Sequence, residues 1–262
     1  MLNKQLMTLL RAEQDIYKTF SSHRNISKEV VAFWSPGSNQ VPHWNTLYPS
    51  SFENAYTEVE LALASELYKS NGLTGHLMSL EKRSSARFNE VAEYFAFESG
   101  ERHSDKERPF VSRAESMFAL NSSQNLPVFV GVVSDVFGLT KVTQELFFDK
   151  MQLLSERRGS KFWVMNYDRE ICGALSTFMA ADGSHFMFNV AVLPKFQKIG
   201  LGAEMIRFCA SQSGGALYTY SHNPHMRESL LPKSGFTSVG TVYLYPLDDS
   251  EFDPTSIYRG TP

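Results

Sequence analysis

Val190-Ala191-Val192-Leu193-Pro194-Lys195-Phe196-Gln197-Lys198-Ile199-Gly200-Leu201-Gly202-Ala203 is the stretch on which the reading of this chain turns. An apolar run ends at Pro194, a short loop follows, and a helical pattern begins at a Gly-x-Gly. Gly200 and Gly202 carry no Cβ, so the backbone there can approach a ligand closely and its N–H groups can converge on one point. A helix that starts here adds its unpaired first-turn donors and the positive end of its dipole. Together these features describe an anion site suited to a pyrophosphate, with Lys195 and Lys198 placing positive charge beside it. The third glycine of a dinucleotide fingerprint is missing, as is the Gly-Lys-Ser/Thr of a P-loop. On spacing alone the loop also reads as a plain strand-to-helix turn.

The apolar periodicity stays clear outward from this stretch. Helical spacing over 200–211 puts Met205, Ile206, Cys209 and Ala210 on one face. Leu217–Ser221 and 239–245 read as strands around the segment 225–233. Upstream, 162–166 and 174–178 read as a hairpin turning near Asp168, Ala181-Asp182-Gly183-Ser184 as a second turn, and 185–193 as the strand that feeds the loop. Val142, Leu146, Phe147, Met151 and Leu154 share a helical face, and 128–133 reads as a strand. The order is strand, helix, hairpin, strand, helix, strand, helix, strand. It predicts an α/β layer with a mixed sheet.

The central stretch resembles motif A of the GNAT superfamily of N-acetyltransferases, Gln/Arg-x-x-Gly-x-Gly/Ala after a strand with alternating Val. Gln197, Gly200 and Gly202 match it, at the family's spacing from Val190 and Val192. Downstream, Asn223 and Lys233-Ser234-Gly235-Phe236 resemble the second signature, in which an Asn follows the next strand and a Gly-Phe ends the next helix. The two signatures, in the right order, cover roughly the second half of the chain.

The resemblance implies an α/β fold with a mixed, mostly antiparallel sheet flanked by helices. It implies acetyl-CoA as cosubstrate and an amine as acceptor, whether small molecule or protein. The backbone of Gln197, Lys198, Ile199, Gly200, Leu201, Gly202 and Ala203 would hold the CoA pyrophosphate. That of Val190, Ala191 and Val192 would pair with the pantetheine arm like an added strand, and Asn223 belongs to the same site. In this family the strand holding those valines splays from the next one, and one of its N–H groups faces the thioester carbonyl.

The sequence departs from the family where an acid for the leaving thiolate is expected. The family's Tyr-x-Lys-x-Gly-Phe here reads Leu231-Pro232-Lys233-Ser234-Gly235-Phe236. Tyr220 or its neighbour Tyr218, on the preceding strand, is a candidate replacement, and His222 a candidate base. Each also has an ordinary reading: a cross-strand tyrosine and a turn histidine. No further Cys or carboxylate stands at ligand spacing, so no metal is expected. The missing Tyr keeps a second reading open, a CoA-binding interaction or regulatory module with little catalysis.

The first half carries no Gln-x-x-Gly-x-Gly. Helical periodicity over 2–20, strands at Val30–Trp34, 77–80 and 91–97, and a helix capped by Ser51 that stops near Asn71-Gly72 give it the length and order of one such domain. Tyr56, Val59, Leu63 and Leu67 would share one face of that helix, and 110–120 reads as a short helix. The most linker-like stretch is Asn121-Ser122-Ser123-Gln124-Asn125. It places the expected boundary between a degenerate GNAT-like domain, 1–125, and an acetyl-CoA-binding GNAT domain, 126–262, with an acidic, mobile tail from Asp248. The whole resembles tandem GNAT proteins.

Composition bounds the rest. At 262 residues, 42% hydrophobic and 20% charged, the chain can build one large core or two small ones. A formal net charge of −3 without a basic stripe argues against a nucleic-acid partner; Lys82, Arg83 and Arg87 read as a solvated face. Two cysteines, Cys172 and Cys209, both in apolar stretches, read as reduced core thiols. The first 20 residues carry Glu13 and Asp15 and lack an apolar signal core, and no apolar run of membrane-spanning length exists. No membrane partner is expected. A cytoplasmic location follows, and the same criteria fit a bacterial protein delivered into a host cytosol.

Overall fold

The computed structural model describes residues 4–38, 42–52, 56–80, 90–97, 116–120 and 126–247. The expected linker at 121–125, the tail from Asp248 and the cluster Lys82, Arg83 and Arg87 lie outside them. The chain runs α1 (Lys4–Phe20), β1 (Ser22–Asn25), β2 (Val30–Trp34), β3 (Thr46–Pro49), α2 (Glu58–Ser70), β4 (His76–Ser79), β5 (Glu90–Phe97) and β6 (Ser116–Leu120). It continues through α3 (Leu126–Phe137), α4 (Lys141–Ser155), β7 (Lys161–Tyr167), β8 (Glu170–Met179), β9 (His185–Val192), α5 (Leu201–Gln212), β10 (Leu217–Ser221), α6 (Leu231–Lys233) and β11 (Thr237–Pro246). This is the mixed α/β architecture expected, with a mostly antiparallel sheet flanked by helices. Among the described residues, no helix is long and apolar enough to cross a membrane.

Two compact units result, Met1–Tyr94 with Val239–Pro262, and Phe95–Ser238. They differ from the expected 1–125 and 126–262 at both ends. β6 pairs antiparallel with β7, from Ser116 opposite Asn166 to Leu120 opposite Phe162, so it belongs with the second unit. β11 pairs antiparallel with β4, from Tyr243 opposite Ser79 to Pro246 opposite His76, so it returns to the first. Strand pairing, invisible in the local pattern, sets the division.

In the first unit β1, β2 and β3 pair antiparallel, and α2 then carries the chain across to β4, parallel to β3. α2 starts later than Ser51. Thr57 is its N-cap, in a reciprocal capping box with Glu60, because the Thr/Glu pair satisfies two first-turn amides at once. Leu61, Ala64 and Tyr68 point inward, while Val59 is 68% and Leu63 45% exposed. The helix ends at Asn71 and Gly72, whose φ of +66° suits the glycine. β1 and β3 were not legible as strands: the four residues of β1, Ser-His-Arg-Asn, are all exposed and carry no apolar alternation.

Glu13 of α1 is fully buried in this unit and accepts a hydrogen bond from the Tyr94 hydroxyl (2.9 Å). Burial raises its carboxyl to about 7, against the opposing effect of the Tyr94, Tyr17 and Tyr48 hydroxyls. A raised carboxyl pKa gives stability that is whole below the unfolded-state value and lost as pH rises through the folded one. Unfolding stability should therefore fall between about pH 4.5 and pH 7. The full loss corresponds to about 3 kcal/mol. Glu13→Gln removes the charge and still offers Tyr94 an acceptor. Urea denaturation should find it more stable than the parent at pH 8 and nearly equal at pH 4; an equal difference at both pH values would refute the assignment.

In the second unit the ladder β6-β7-β8-β9 is antiparallel and β10 joins β9 in parallel. β7 and β8 form the expected hairpin, turning at Asp168 and Arg169, both at positive φ. The segment 128–133, expected to be a strand, lies inside α3. An apolar run of this length fits either element, and Pro127 in the first turn favours the helix. The end of 110–120, expected to be helical, is β6; residues 110–115 lie outside the described ones. One sheet face carries aromatic rings toward α3 and α4. Phe129 meets Phe162 edge-on at 5.0 Å, Phe162 meets Phe178 at 5.7 Å, and Phe186 stacks on Phe188 at 4.5 Å. The opposite face packs on α5 through Trp163, Met187, Leu201, Met205, Ile206 and Cys209.

Candidate functional site

The parallel pairing of β9 with β10 is short. Leu217 lies opposite His185 and Tyr218 opposite Phe186, and the ladder then stops. Continued in register, Thr219 would face Met187, and the Tyr220 amide would bond the Met187 carbonyl. Instead the Thr219 hydroxyl donates to that carbonyl (2.9 Å). The last third of β9, Val190, Ala191 and Val192, therefore has no β10 backbone beside it among the described pairs.

A bulge lies at the same level. The β8–β9 register shifts between Ala174 and Ser176, and Asn189 sits at φ +55° inside the strand. The extra residue reverses the alternation of side chains. Phe186 and Phe188 join the aromatic face, but Val190 and Val192 pack against the α5 side together with Met187. Gly173 of β8 allows the close approach that follows: a Cβ there would meet the Ala191 carbonyl at 2.8 Å.

After β9 the chain makes a single turn at Pro194–Phe196 and enters the predicted loop. Gln197 folds back so that its side-chain amide donates to the Val192 carbonyl (2.9 Å), pinning loop to strand. The backbone is left-handed at Lys198 (φ +66°) and again at Gly200 (φ +97°). Such alternation turns successive N–H groups toward one point. Gly200 is the N-cap of α5 and has no side chain to offer the first-turn amides of Leu201 and Gly202, while the Ala203 amide donates to the Gly200 carbonyl (3.1 Å). A Cβ on Gly202 would stand 3.7 Å from Val192 and 3.5 Å from Leu230, so the loop, the strand end and the segment after Asn223 meet here. Lys195 turns away, pairing with Glu170 and lying over the Phe196 ring, so Lys198 is the nearer of the two expected cations in sequence to the helix start.

Asn223 has a local task. Its side-chain oxygen accepts from the His225 amide (2.9 Å) and the Met226 amide (3.4 Å), capping the next turn. That turn is a π-helix, Met226–Leu230, running into α6, and the wide turn sits just ahead of Pro232. Leu231, at the family's Tyr position, is wholly buried in the α5-side core. Tyr220 lies on β10 past the end of the ladder and His222 just after the strand, their rings 5.3 Å apart, with Tyr220 edge-on to Phe188 at 5.9 Å. Cys172 and Cys209 are buried thiols, pushed by burial to about 11 and about 12, so neither is a nucleophile near neutral pH.

The sequence pointed to the loop, to 190–192 and to Asn223. It missed Asn189, Thr219 and Gly173. A lone Asn inside Phe-Met-Phe-Asn-Val-Ala-Val and a Gly inside a strand were the available signals.

Comparison with known proteins follows this geometry. Residues 134–227 match the family model described as Acetyltransferase (GNAT) family, a span that includes α4 through β10 and the loop. The fold is similar to that of a GCN5-related N-acetyltransferase from Kribbella flavida, at 10% identity and a TM-score of 0.65, over 95% of this chain and 97% of that one. It is similar to a GCN5-related N-acetyltransferase from Sphaerobacter thermophilus, at 11% identity and a TM-score of 0.55, over 96% and 94%. It is also similar to a tandem GNAT protein from the clavulanic acid biosynthesis pathway, at 11% identity and a TM-score of 0.51, over 94% and 95%. No curated protein matches the chain in sequence. The matched span holds the whole β9–loop–α5 site, so this part of the chain matches the GNAT acetyltransferase family, and the solved GNAT structures share the fold of the chain.

Proposed function

We propose that the protein moves an acetyl group from acetyl-CoA to an amine by direct attack in a ternary complex. The observation that carries this reading is the interrupted β9–β10 ladder, which leads into a loop of converging amides at the head of α5. The amides between Gln197 and Ala203 take the pyrophosphate. The pantetheine arm lies along Val190, Ala191 and Val192 where β10 has withdrawn, pairing as an added strand. Asn223 helps to shape the opposite wall of this site through the turn it caps.

The acceptor amine, having lost its proton, attacks the thioester carbon. A C–N bond forms and the carbonyl oxygen takes negative charge, held by a β9 N–H. The C–S bond then breaks, and the thiolate takes a proton. With Leu231 buried, we assign the proton transfers to Tyr220, on β10, and His222, just after it, a titratable pair beyond the end of the β9–β10 ladder. The attack is direct, with no acyl-enzyme; both cysteines are buried thiols whose pKa burial raises. The setting is cytoplasmic.

We read the first unit as a degenerate copy. Its antiparallel strands, crossover helix and parallel fourth strand repeat the order β7-β8-β9-α5-β10. At the head of its crossover helix, however, the Thr57 hydroxyl takes the Glu60 amide and the Glu60 carboxylate takes the Thr57 amide. A carboxylate in that place excludes a phosphate by charge as well as by occupancy.

The burial of Leu231 also favours a second reading, a CoA-binding module without catalysis. Thiol release separates the two. With acetyl-CoA and a panel of polyamines, lysine peptides and aminoglycosides, at least one amine should raise CoA thiol release above background. Tight acetyl-CoA binding with no thiol from any amine would select the module.

A further inference from the structure

Asn189 stands in the middle of β9 in a left-handed conformation, φ +55°, which a strand residue rarely adopts. Such strain persists only where its surroundings hold it, and it concentrates at sites of function. Its side-chain amide donates to the Ser176 hydroxyl of β8 (3.1 Å), and that hydroxyl donates in turn to the Phe188 carbonyl (3.3 Å). Ser176 is completely buried. The same amide reaches toward the Met151 sulfur of α4 (4.0 Å). These bonds tie the bulge to the neighbouring strand at the point where the register shifts.

We infer that Asn189 is a positioning residue for acyl transfer: bonded to Ser176, it holds the β9 bulge so that the next backbone N–H, that of Val190, faces the thioester carbonyl. This rests on the acetyl-transfer reading. The argument is geometric. Without the bulge, Val190 and Val192 would keep the alternation of Phe186 and Phe188, and the backbone between them would turn over. On the β10 side the withdrawn ladder leaves the Val190 amide with no strand partner among the described pairs. An amide that must serve a transient oxyanion is useful only when held before the charge develops. The Asn189–Ser176 bond does this while leaving the loop that takes the pyrophosphate untouched, eight residues on from Asn189 to Gln197.

The test compares acetyl-CoA with free CoA, which differ by the acetyl group that this amide meets. Calorimetry on the full chain should show acetyl-CoA bound several-fold more tightly than CoA. Asn189→Gly keeps the left-handed backbone and removes the tether. It should bring the two affinities to within about twofold of each other while leaving that for CoA nearly unchanged. Ser176→Ala should do the same, and the double variant should go no further than either single one. A purely structural role would weaken both ligands alike and leave their ratio standing; that result, or a ratio unchanged in both variants, overturns the inference. A parent protein that binds neither ligand sinks the acetyl-transfer reading itself, whereas a parent that binds both without preference sinks only the role of Asn189.

Discussion

Gly202→Glu is expected to abolish acetyl-CoA binding, by 100-fold or more on the order of the charge repulsion and lost amide contacts involved. The substitution is accommodated by the fold. A Cβ at this position makes only ordinary contacts, with Leu230 at 3.5 Å and Val192 at 3.7 Å, and Gly202 is not left-handed. Its carboxylate then lies over the first turn of α5, where the helix dipole favours an anion. The variant would supply its own anion, as Glu60 does at the head of α2. Circular dichroism and thermal melting should match the parent, and calorimetry should register no heat with acetyl-CoA. Gly200→Val reaches the same end differently: φ +97° strains any β-branched residue, though the space beside it is open. A folded Gly202→Glu that binds acetyl-CoA as the parent does would reduce the loop to an ordinary turn.

Leu231→Ala is expected to destabilise the second unit by about 2–5 kcal/mol, the usual cost of emptying a buried leucine site. Leu231 has no exposed surface and packs in the cluster with Leu201, Met205 and Phe236. Leu231 is a core position, with Pro232 after it and a π-turn before it. The turn is held by backbone bonds from Gly235 to Pro232 and from Phe236 to Leu231, with Gly235 at φ +89°. Thiol release per folded molecule should survive Leu231→Ala at low temperature. A loss of activity with less than about 1 kcal/mol of destabilisation would instead give Leu231 a place in the chemistry.

What the sequence made legible was local. Helices with a clear apolar face, such as α1, α4 and α5, and the hairpin of β7 and β8 follow from spacing and turn residues. The loop was legible because glycines at fixed spacing answer to a backbone requirement, here met at Gly200. What was not legible depends on partners distant in sequence. β6 is a strand because β7 lies beside it, and β11 belongs to the first unit because β4 does. α3 reads as a strand locally, since Val, Phe and Val in succession suit either element. The opening of the sheet is the extreme case. It arises from one hydroxyl, Thr219, taking a carbonyl from its own ladder, and from one asparagine adopting the wrong hand. Neither residue type in a strand announces such a role.

The central claim is that a single CoA site exists, at the head of α5, and that the equivalent place at the head of α2 is closed by Thr57 and Glu60. Isothermal titration of the full chain with acetyl-CoA tests it most directly. One acetyl-CoA per chain is expected, lost in Gly202→Glu. No binding at millimolar acetyl-CoA, or two molecules bound per chain, would contradict it.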